Sequence, residues 1–298
     1  MTDITTNSAA TWRDYYEMCK PRVVMLMILT SLVGMFLAVP GMVPLDVLIL
    51  GNLGIALVAG SGAVVNHLID RKIDVVMKRT HNRPIPQGRV DPLQAGIFAA
   101  AIGLAGMAIM LLWVNALSAW LTLASFVGYA FIYTGYLKHA TPQNIVIGGL
   151  AGAMPPLLGW SAVTGTIEAD AVVLVLIIFA WTPPHFWALA IHRRTDYAKV
   201  NIPMLPVTHG VRYTALHIML YSLVLIAASL LPFATGLSGP LYLAGAAVLG
   251  LIQLYYAWMI LRGDTKAPMA AFRYSLIYLI ALFVIMLLDH YFFPVKVL

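Results

Sequence analysis

The sequence predicts an all-α, polytopic membrane protein with nine transmembrane helices. Of its 298 residues, 61% are hydrophobic and only 10% are charged, whereas a soluble domain carries about 25% charged residues. The mean hydropathy is +0.87, and the apolar residues form runs close to the roughly 20 residues that a helix needs to cross a bilayer. These observations exclude an ordinary soluble globular domain and make the lipid bilayer the main partner of the chain.

Nine apolar runs are separated by residues that end helices. Proline and glycine mark most of the breaks, as at Pro40, Gly41, Pro142 and Gly165. Because each run between breaks has roughly membrane-spanning length, each is predicted to be one helix. The predicted spans are 23–40, 45–66, 93–113, 115–136, 144–164, 170–191, 214–234, 239–261 and 273–293.

The cationic residues predict the orientation of these helices. Every Lys and Arg except Lys296 falls before the first predicted span, or in and beside the loops that follow even-numbered spans. Cytoplasmic loops of membrane proteins collect these residues. The N-terminus is therefore predicted to be cytoplasmic and the C-terminus periplasmic. The formal charge of +6 is explained by this topology, and no nucleic-acid partner is predicted.

Residues 1–22 are predicted to be a cytoplasmic N-terminal segment, followed by a single nine-helix domain over 23–298. The segment contains Asp14 and Glu17 and lacks the basic region, apolar run and cleavage site of a signal peptide. It also lacks the Arg-rich, acid-poor composition of a mitochondrial presequence, which favours a bacterial cytoplasmic (inner) membrane.

The densest group of polar residues follows the second span. Asn66, Asp70 and Asp74 recur every four residues, which places them on one face of a helix with successive Cβ atoms about 6 Å apart. Adjacent carboxylates repel each other unless a cation lies between them. Oxygen ligands, few carboxylates and a phosphate-bearing substrate are typical of Mg²⁺ sites. The three residues are therefore candidate Mg²⁺ ligands.

Three cations follow directly, namely Lys78, Arg79 and Arg83. Arginine suits phosphate oxygens by bidentate contacts, and lysine as a compact charge. Membrane topology alone would also collect cations in a solvated loop here. It does not explain the aligned amide and carboxylates, so the pattern favours a binding site for a lipid diphosphate.

The pattern N-x3-D-x3-D, followed by M-x-R-T-x2-R-P over 77–84, resembles the first aspartate-rich motif of the UbiA superfamily of intramembrane prenyltransferases. The resemblance extends over nearly the whole chain and implies a UbiA-type helical bundle. The form NHLIDRKIDVVMKRTHNRPIP is similar to the branch that transfers a farnesyl group to the vinyl group of heme b. It implies farnesyl diphosphate and heme b as substrates, Mg²⁺ as cofactor, and heme A synthase or terminal oxidase assembly as partners.

Two residues at the end of the fourth span are further candidates. Tyrosine and lysine at a helix end most often form an interfacial belt. The resemblance implies instead that the segment Y-T-x2-L-K faces the diphosphate, which makes Tyr133 and Lys138 candidate catalytic residues beside Asn66, Asp70 and Asp74.

The loop after the sixth span resembles the second motif of the family but departs from it. Members that act on aromatic substrates usually have D-x3-D here, whereas this chain has Asp196 and, four residues later, Val200 in place of the second aspartate. The departure leaves a second Mg²⁺ in doubt and favours heme b over a quinone precursor as acceptor. Asp196, Lys199 and Arg193 are candidate diphosphate-binding residues.

The sixth span itself carries His185 and His192, seven residues apart and beside Pro183 and Pro184. One interpretation is a neutral histidine bonded to a backbone carbonyl that a proline has freed. The other is contact with a porphyrin, through iron or a propionate, which makes both histidines candidate substrate-binding residues.

Two other functions are left open by the sequence. One is a prenyltransferase acting on a different aromatic acceptor. The other is a heme-binding membrane protein without transferase activity. Bis-histidine ligation of heme normally uses histidines from two facing helices. His185 and His192 share one helix, which counts against a heme-binding protein of this kind.

Overall fold

The computed structural model describes residues 10–77 and 79–293, and within these ranges it contains helices and no strands. Eight helices are long and apolar enough to cross a bilayer, and a bent pair near the N-terminus supplies a ninth. The predicted all-α membrane fold is therefore confirmed.

Twelve helices are described along the chain. They are α1 Trp12–Met18, α2 Pro21–Leu37, α3 Leu45–Asp74, α4 Pro92–Val114, α5 Ala116–Ala140, α6 Asn144–Thr164, α7 Ala169–His192, α8 Arg194–Lys199, α9 Leu205–Thr208, α10 Gly210–Ala234, α11 Pro240–Leu261 and α12 Ala267–Phe292. Within α5, the stretch Gly128–Leu137 is π-helical. Helix α6 is interrupted at Met154, because Pro155 and Pro156 lack the N–H groups that would continue its hydrogen bonds.

Helix α3 is longer than the predicted second span. The apolar run ends near residue 66, but the helix continues to Asp74. No glycine or proline interrupts this extension, and Arg71 and Lys72 in the last turn interact favourably with the negative end of the helix dipole. As a result, one continuous helix leaves the apolar layer and carries all three candidate metal ligands.

Helix α7 is the centre of the bundle. In its apolar stretch 78% of residues are buried, against 17% in α4. Small residues allow close crossings around this centre. A Cβ atom added at Gly34 of α2 would clash with the carbonyl of Pro156, and one at Gly159 with the carbonyl of Ser31. Such close approach is typical of helix packing in membranes, where van der Waals contact replaces the hydrophobic driving force.

The two long charged loops lie at the same end of the bundle. Ile73, at the end of α3, packs against an apolar cluster centred on Trp187 and Ile202. Tyr197 and Val200, from the segment after α7, pack against the same cluster. This packing holds the segment that begins at Arg193 beside the last turns of α3.

Candidate active site

The candidate metal ligands form a buried polar ladder on α3. Asn66, Asp70 and Asp74 are only 5%, 3% and 2% exposed, so their side chains point into the protein and not into bulk solvent. The Nδ2 atom of Asn66 donates a hydrogen bond of 2.9 Å to Oδ2 of Asp70. Burying two carboxylates this way is costly unless cations compensate them.

Two cations supply that compensation. Nζ of Lys138, at the end of α5, lies 2.7 Å from Oδ2 of Asp70, and Nη1 of Arg83 lies 2.5 Å from Oδ2 of Asp74. The Lys138 and Arg83 side chains are only 13% and 18% exposed. Both pairs are therefore shielded from water, where removing one partner is strongly destabilising.

A third cation reaches the ladder from a position that the sequence analysis did not select. Nζ of Lys20 donates to Oδ1 of Asn66 at 2.5 Å and to the hydroxyl of Tyr129 at 3.2 Å. Lys20 lies between α1 and α2 with φ of 51°, a left-handed conformation that is uncommon outside glycine. Its position directly before Pro21, at the membrane edge, was the available sequence signal.

The π-helical part of α5 presents further polar groups to the ladder. The hydroxyl of Thr134 accepts a 3.1 Å hydrogen bond from Asn66 and donates one of 2.9 Å to the Tyr129 carbonyl. The rings of Tyr129 and Tyr133 stack with centroids 6.0 Å apart. π-Helical turns are frequent at functional sites, and this one brings Tyr129 and Thr134, which the sequence analysis missed, next to Asn66.

The remaining predicted diphosphate ligands either make no ion pair with the ladder or lie outside the described ranges. Lys78 is outside them. Arg79 and Lys199 are exposed, while Arg193 and Asp196 are half-buried. Within the described part of the chain, none of these four is ion-paired with the carboxylates of α3.

The two histidines of α7 have different surroundings. His185 is 5% exposed, and its ring stacks on Trp181 and Phe272 with centroids 4.2 and 4.5 Å away. Its Nδ1 atom lies 2.6 Å from the hydroxyl of Ser275 on α12. His192 is the last residue of α7 and is exposed. The partner of His185 is thus a hydroxyl on another helix, and not a carbonyl freed by the neighbouring prolines.

The ladder has the donor chemistry that Mg²⁺ requires. Oδ1 of Asp70 is buried and accepts no hydrogen bond from any residue that the structure describes. The described residues contain no cluster of three His, Cys, Asp or Glu suited to a metal, and the ladder itself offers two carboxylates and one amide. Mg²⁺ commonly takes few protein ligands and completes its shell with water and substrate phosphates. The residues present therefore fit this ion.

Comparison with known sequences gives matches over almost the whole chain. The model of the UbiA prenyltransferase family matches residues 27–287. The chain is 66% identical over 295 residues to protoheme IX farnesyltransferase of Saccharophagus degradans, covering 99% of this chain and 97% of that protein. It is 63% identical over 292 residues to protoheme IX farnesyltransferase 1 of Pseudomonas putida (strain GB-1), covering 98% of each.

Solved structures share the helical fold at low sequence identity. A digeranylgeranylglyceryl phosphate synthase matches with a TM-score of 0.80 and 17% identity, over 94% of this chain and 98% of that one. A UbiA homologue from Archaeoglobus fulgidus bound to GPP and Mg²⁺ matches with a TM-score of 0.63 and 14% identity, over 92% and 99%.

Proposed function

Because this chain belongs to the UbiA prenyltransferase family, we propose that it transfers the farnesyl group of farnesyl diphosphate to the vinyl group of heme b. The observation that carries this proposal is near full-length identity of 62–66% to proteins named protoheme IX farnesyltransferase. The buried ladder on α3, with one cation at each carboxylate, supports the diphosphate half of the reaction.

The diphosphate is proposed to bind where the cations now meet the ladder. Lys20, Arg83 and Lys138 each contact an oxygen atom of the ladder at hydrogen-bonding distance. Asn66, Asp70 and Asp74 would hold Mg²⁺. When bound, this ion would neutralise charge on the leaving diphosphate oxygens. The side chains of Lys20, Arg83 and Lys138 would leave their ladder partners and bind the phosphate oxygens. At the rim of this site would lie Arg79, Arg193, Asp196 and Lys199.

The protein would contribute positioning and electrostatic stabilisation to the chemistry. The bond between the farnesyl carbon and the diphosphate oxygen breaks, and its electron pair leaves with the diphosphate. The vinyl group then forms the new carbon–carbon bond, and water adds to the resulting cation with loss of a proton. Fixed cations that meet the developing anion lower the barrier. The ring of Tyr133 stacks on that of Tyr129, whose hydroxyl accepts a hydrogen bond from Lys20, and it would stabilise the allylic cation by a cation–π contact.

The acceptor is proposed to bind beside α7. His185, Trp181 and Phe272 form a stack of flat rings, which suits a planar macrocycle. Because Nδ1 of His185 is bonded to Ser275, Nε2 is the nitrogen left for iron or for a propionate. His192 would contact the porphyrin at the exposed end of the helix.

The cellular setting is part of the proposal. The chain is a multi-pass membrane protein. The concentration of cations at one end supports a cytoplasmic active site in a bacterial inner membrane, with a periplasmic C-terminus. The product would pass to heme A synthase or to terminal oxidase assembly.

The test is product analysis with purified protein in lipid nanodiscs. The protein is incubated with Mg²⁺, labelled farnesyl diphosphate and either heme b, an aromatic acid or chlorophyllide, and the products are analysed by mass spectrometry. We expect label in heme b, with one added farnesyl group and one added hydroxyl. Transfer only to another acceptor, or to none, would contradict the proposal.

A further inference from the structure

A histidine beside the ladder is buried without any visible partner. His67 of α3 is 2% exposed. Neither Nδ1 nor Nε2 has a hydrogen-bond partner among the residues that the structure describes. Most buried polar side-chain atoms in native proteins are hydrogen-bonded, so an exception calls for a physical explanation. An orphaned imidazole also costs stability that an apolar side chain of similar size would not.

The position of His67 on the helix points it toward the site. It lies three residues before Asp70 and seven before Asp74, a spacing that places the three side chains on one face of α3. Two other residues of this face bind cations: Asn66 accepts a hydrogen bond from Lys20, and Asp74 is ion-paired with Arg83. His67 therefore shares its face of α3 with the residues that bind two of the cations.

These surroundings select the kind of ligand. The diphosphate is proposed to bind where Lys20, Arg83 and Lys138 meet the ladder, so the ligand that this face of α3 would present to the ring is an anion. Mg²⁺ prefers oxygen ligands, which argues against an imidazole nitrogen of His67 as a ligand of this ion. A neutral imidazole offers one N–H donor and one acceptor nitrogen.

We propose that His67 is a diphosphate-binding residue, whose ring N–H donates a hydrogen bond to a phosphate oxygen of the prenyl donor. Its second nitrogen is then available to accept a hydrogen bond from Lys20 or Arg83. This inference rests on the proposed function, and it adds to the α3 ladder a residue that touches the anion and not the metal. It also explains why a polar side chain is kept in a buried position where an apolar one would be more stable.

The test separates anion binding from folding. Calorimetric titrations with inorganic pyrophosphate and with farnesyl diphosphate, both with Mg²⁺, are compared for wild-type protein and His67→Leu, His67→Asn and His67→Gln. A hydrogen bond to a charged group corresponds to about a ten- to hundred-fold change in affinity. We expect His67→Leu to lose about that much, with a melting temperature no lower than that of the wild type. The amide variant whose N–H lies nearest the lost donor recovers part of the affinity.

Two controls complete the experiment. His290→Leu removes a histidine at the opposite end of the bundle, where it contacts the Val39 carbonyl, and we expect unchanged pyrophosphate binding. Heme b titration followed by the Soret band is expected to be the same in His67→Leu and wild type, because His67 acts on the donor and not on the acceptor.

The possible failures are distinguishable. If His67→Leu binds pyrophosphate within twofold of the wild type, His67 has only a packing role and the inference is overturned. If the wild type binds pyrophosphate and His67→Leu does not, but no farnesylated heme is formed, the inference stands and the proposed function fails.

Discussion

Nζ of Lys138 lies 2.7 Å from Oδ2 of Asp70, although the two residues are 68 positions apart in the chain. The pair joins the end of α5 to α3, and Arg83 joins the following loop to Asp74 in the same way. Each carboxylate of α3 therefore has a basic partner within the protein. The proposed binding of Mg²⁺ and a diphosphate at the ladder therefore requires both to exchange partners with these pairs.

Partner exchange predicts opposite effects of one substitution. Lys138→Met removes the cation that competes for Asp70, so metal affinity in the absence of diphosphate is expected to rise. Pyrophosphate affinity is expected to fall about tenfold, because a charge-assisted hydrogen bond is lost. Mn²⁺ binding followed by electron paramagnetic resonance measures the first, and calorimetry the second. Lys72→Met, at an exposed position on α3, controls for net charge. If the metal affinity and the pyrophosphate affinity of Lys138→Met change in the same direction, the proposed exchange of partners is contradicted.

The carboxylates themselves are expected to be required for turnover. Asp70→Ala and Asp74→Ala should each lower the rate of farnesyl transfer at least about a hundred-fold, as expected when stabilisation of a developing anion is lost. Each variant loses one partner of a shielded ion pair and is expected to be less stable than the wild type, so the rate is expressed per folded molecule. Initial rates with labelled farnesyl diphosphate provide the measurement.

The matched control for these variants is Asp91→Ala. Asp91 accepts a hydrogen bond of 2.8 Å from the backbone of Leu93 and caps α4. Its loss should cost about 1 kcal/mol of stability while leaving the rate per folded molecule unchanged. Near-normal rates in Asp70→Ala and Asp74→Ala would rule out the assigned role of the ladder.

Gly148 is expected to matter for the rate of transfer because the ring of Tyr133 packs against it. A Cβ atom added at Gly148 would clash with the ring of Tyr133, whereas one at Gly152, a turn later on α6, meets no described atom within 4 Å. Gly148→Ala should therefore displace Tyr133 and lower kcat about tenfold or more, since small misplacements at a site are costly. Gly152→Ala should not. Equal rates in the two variants would show that the position of Tyr133 is unimportant for transfer.

A stability effect without a catalytic effect is expected at the other end of the bundle. Asp289 is completely buried and accepts hydrogen bonds from the backbone N–H groups of Gly239 and Tyr242, at the start of α11. Asp289→Ala leaves both donors unpaired and should lower the free energy of unfolding by about 2 kcal/mol. Thermal unfolding in detergent measures this loss. A reduced rate per folded molecule would contradict the separation between this cap and the active site.

The spacing of polar residues on one helix could be predicted from the sequence, because a four-residue repeat places side chains on one face in any α-helix. The contact of Lys20 with Asn66 could not, because it depends on the bend between α1 and α2 and on a left-handed backbone conformation. Thr134 reaches Asn66 through the π-helical part of α5, which shifts the faces expected from a 3.6-residue period. The position at which α3 ends also could not be predicted from hydropathy, because hydropathy detects the apolar part of a helix and not its full length.

The binding of farnesyl diphosphate with and without Mg²⁺, compared between wild-type protein and Asp70→Ala, tests the central claim most directly. We expect Mg²⁺ to raise the affinity of the wild type for farnesyl diphosphate at least about tenfold and to have little effect on Asp70→Ala. Wild-type binding that is independent of Mg²⁺, or an equal Mg²⁺ response in Asp70→Ala, would contradict a metal-bound diphosphate at the α3 ladder.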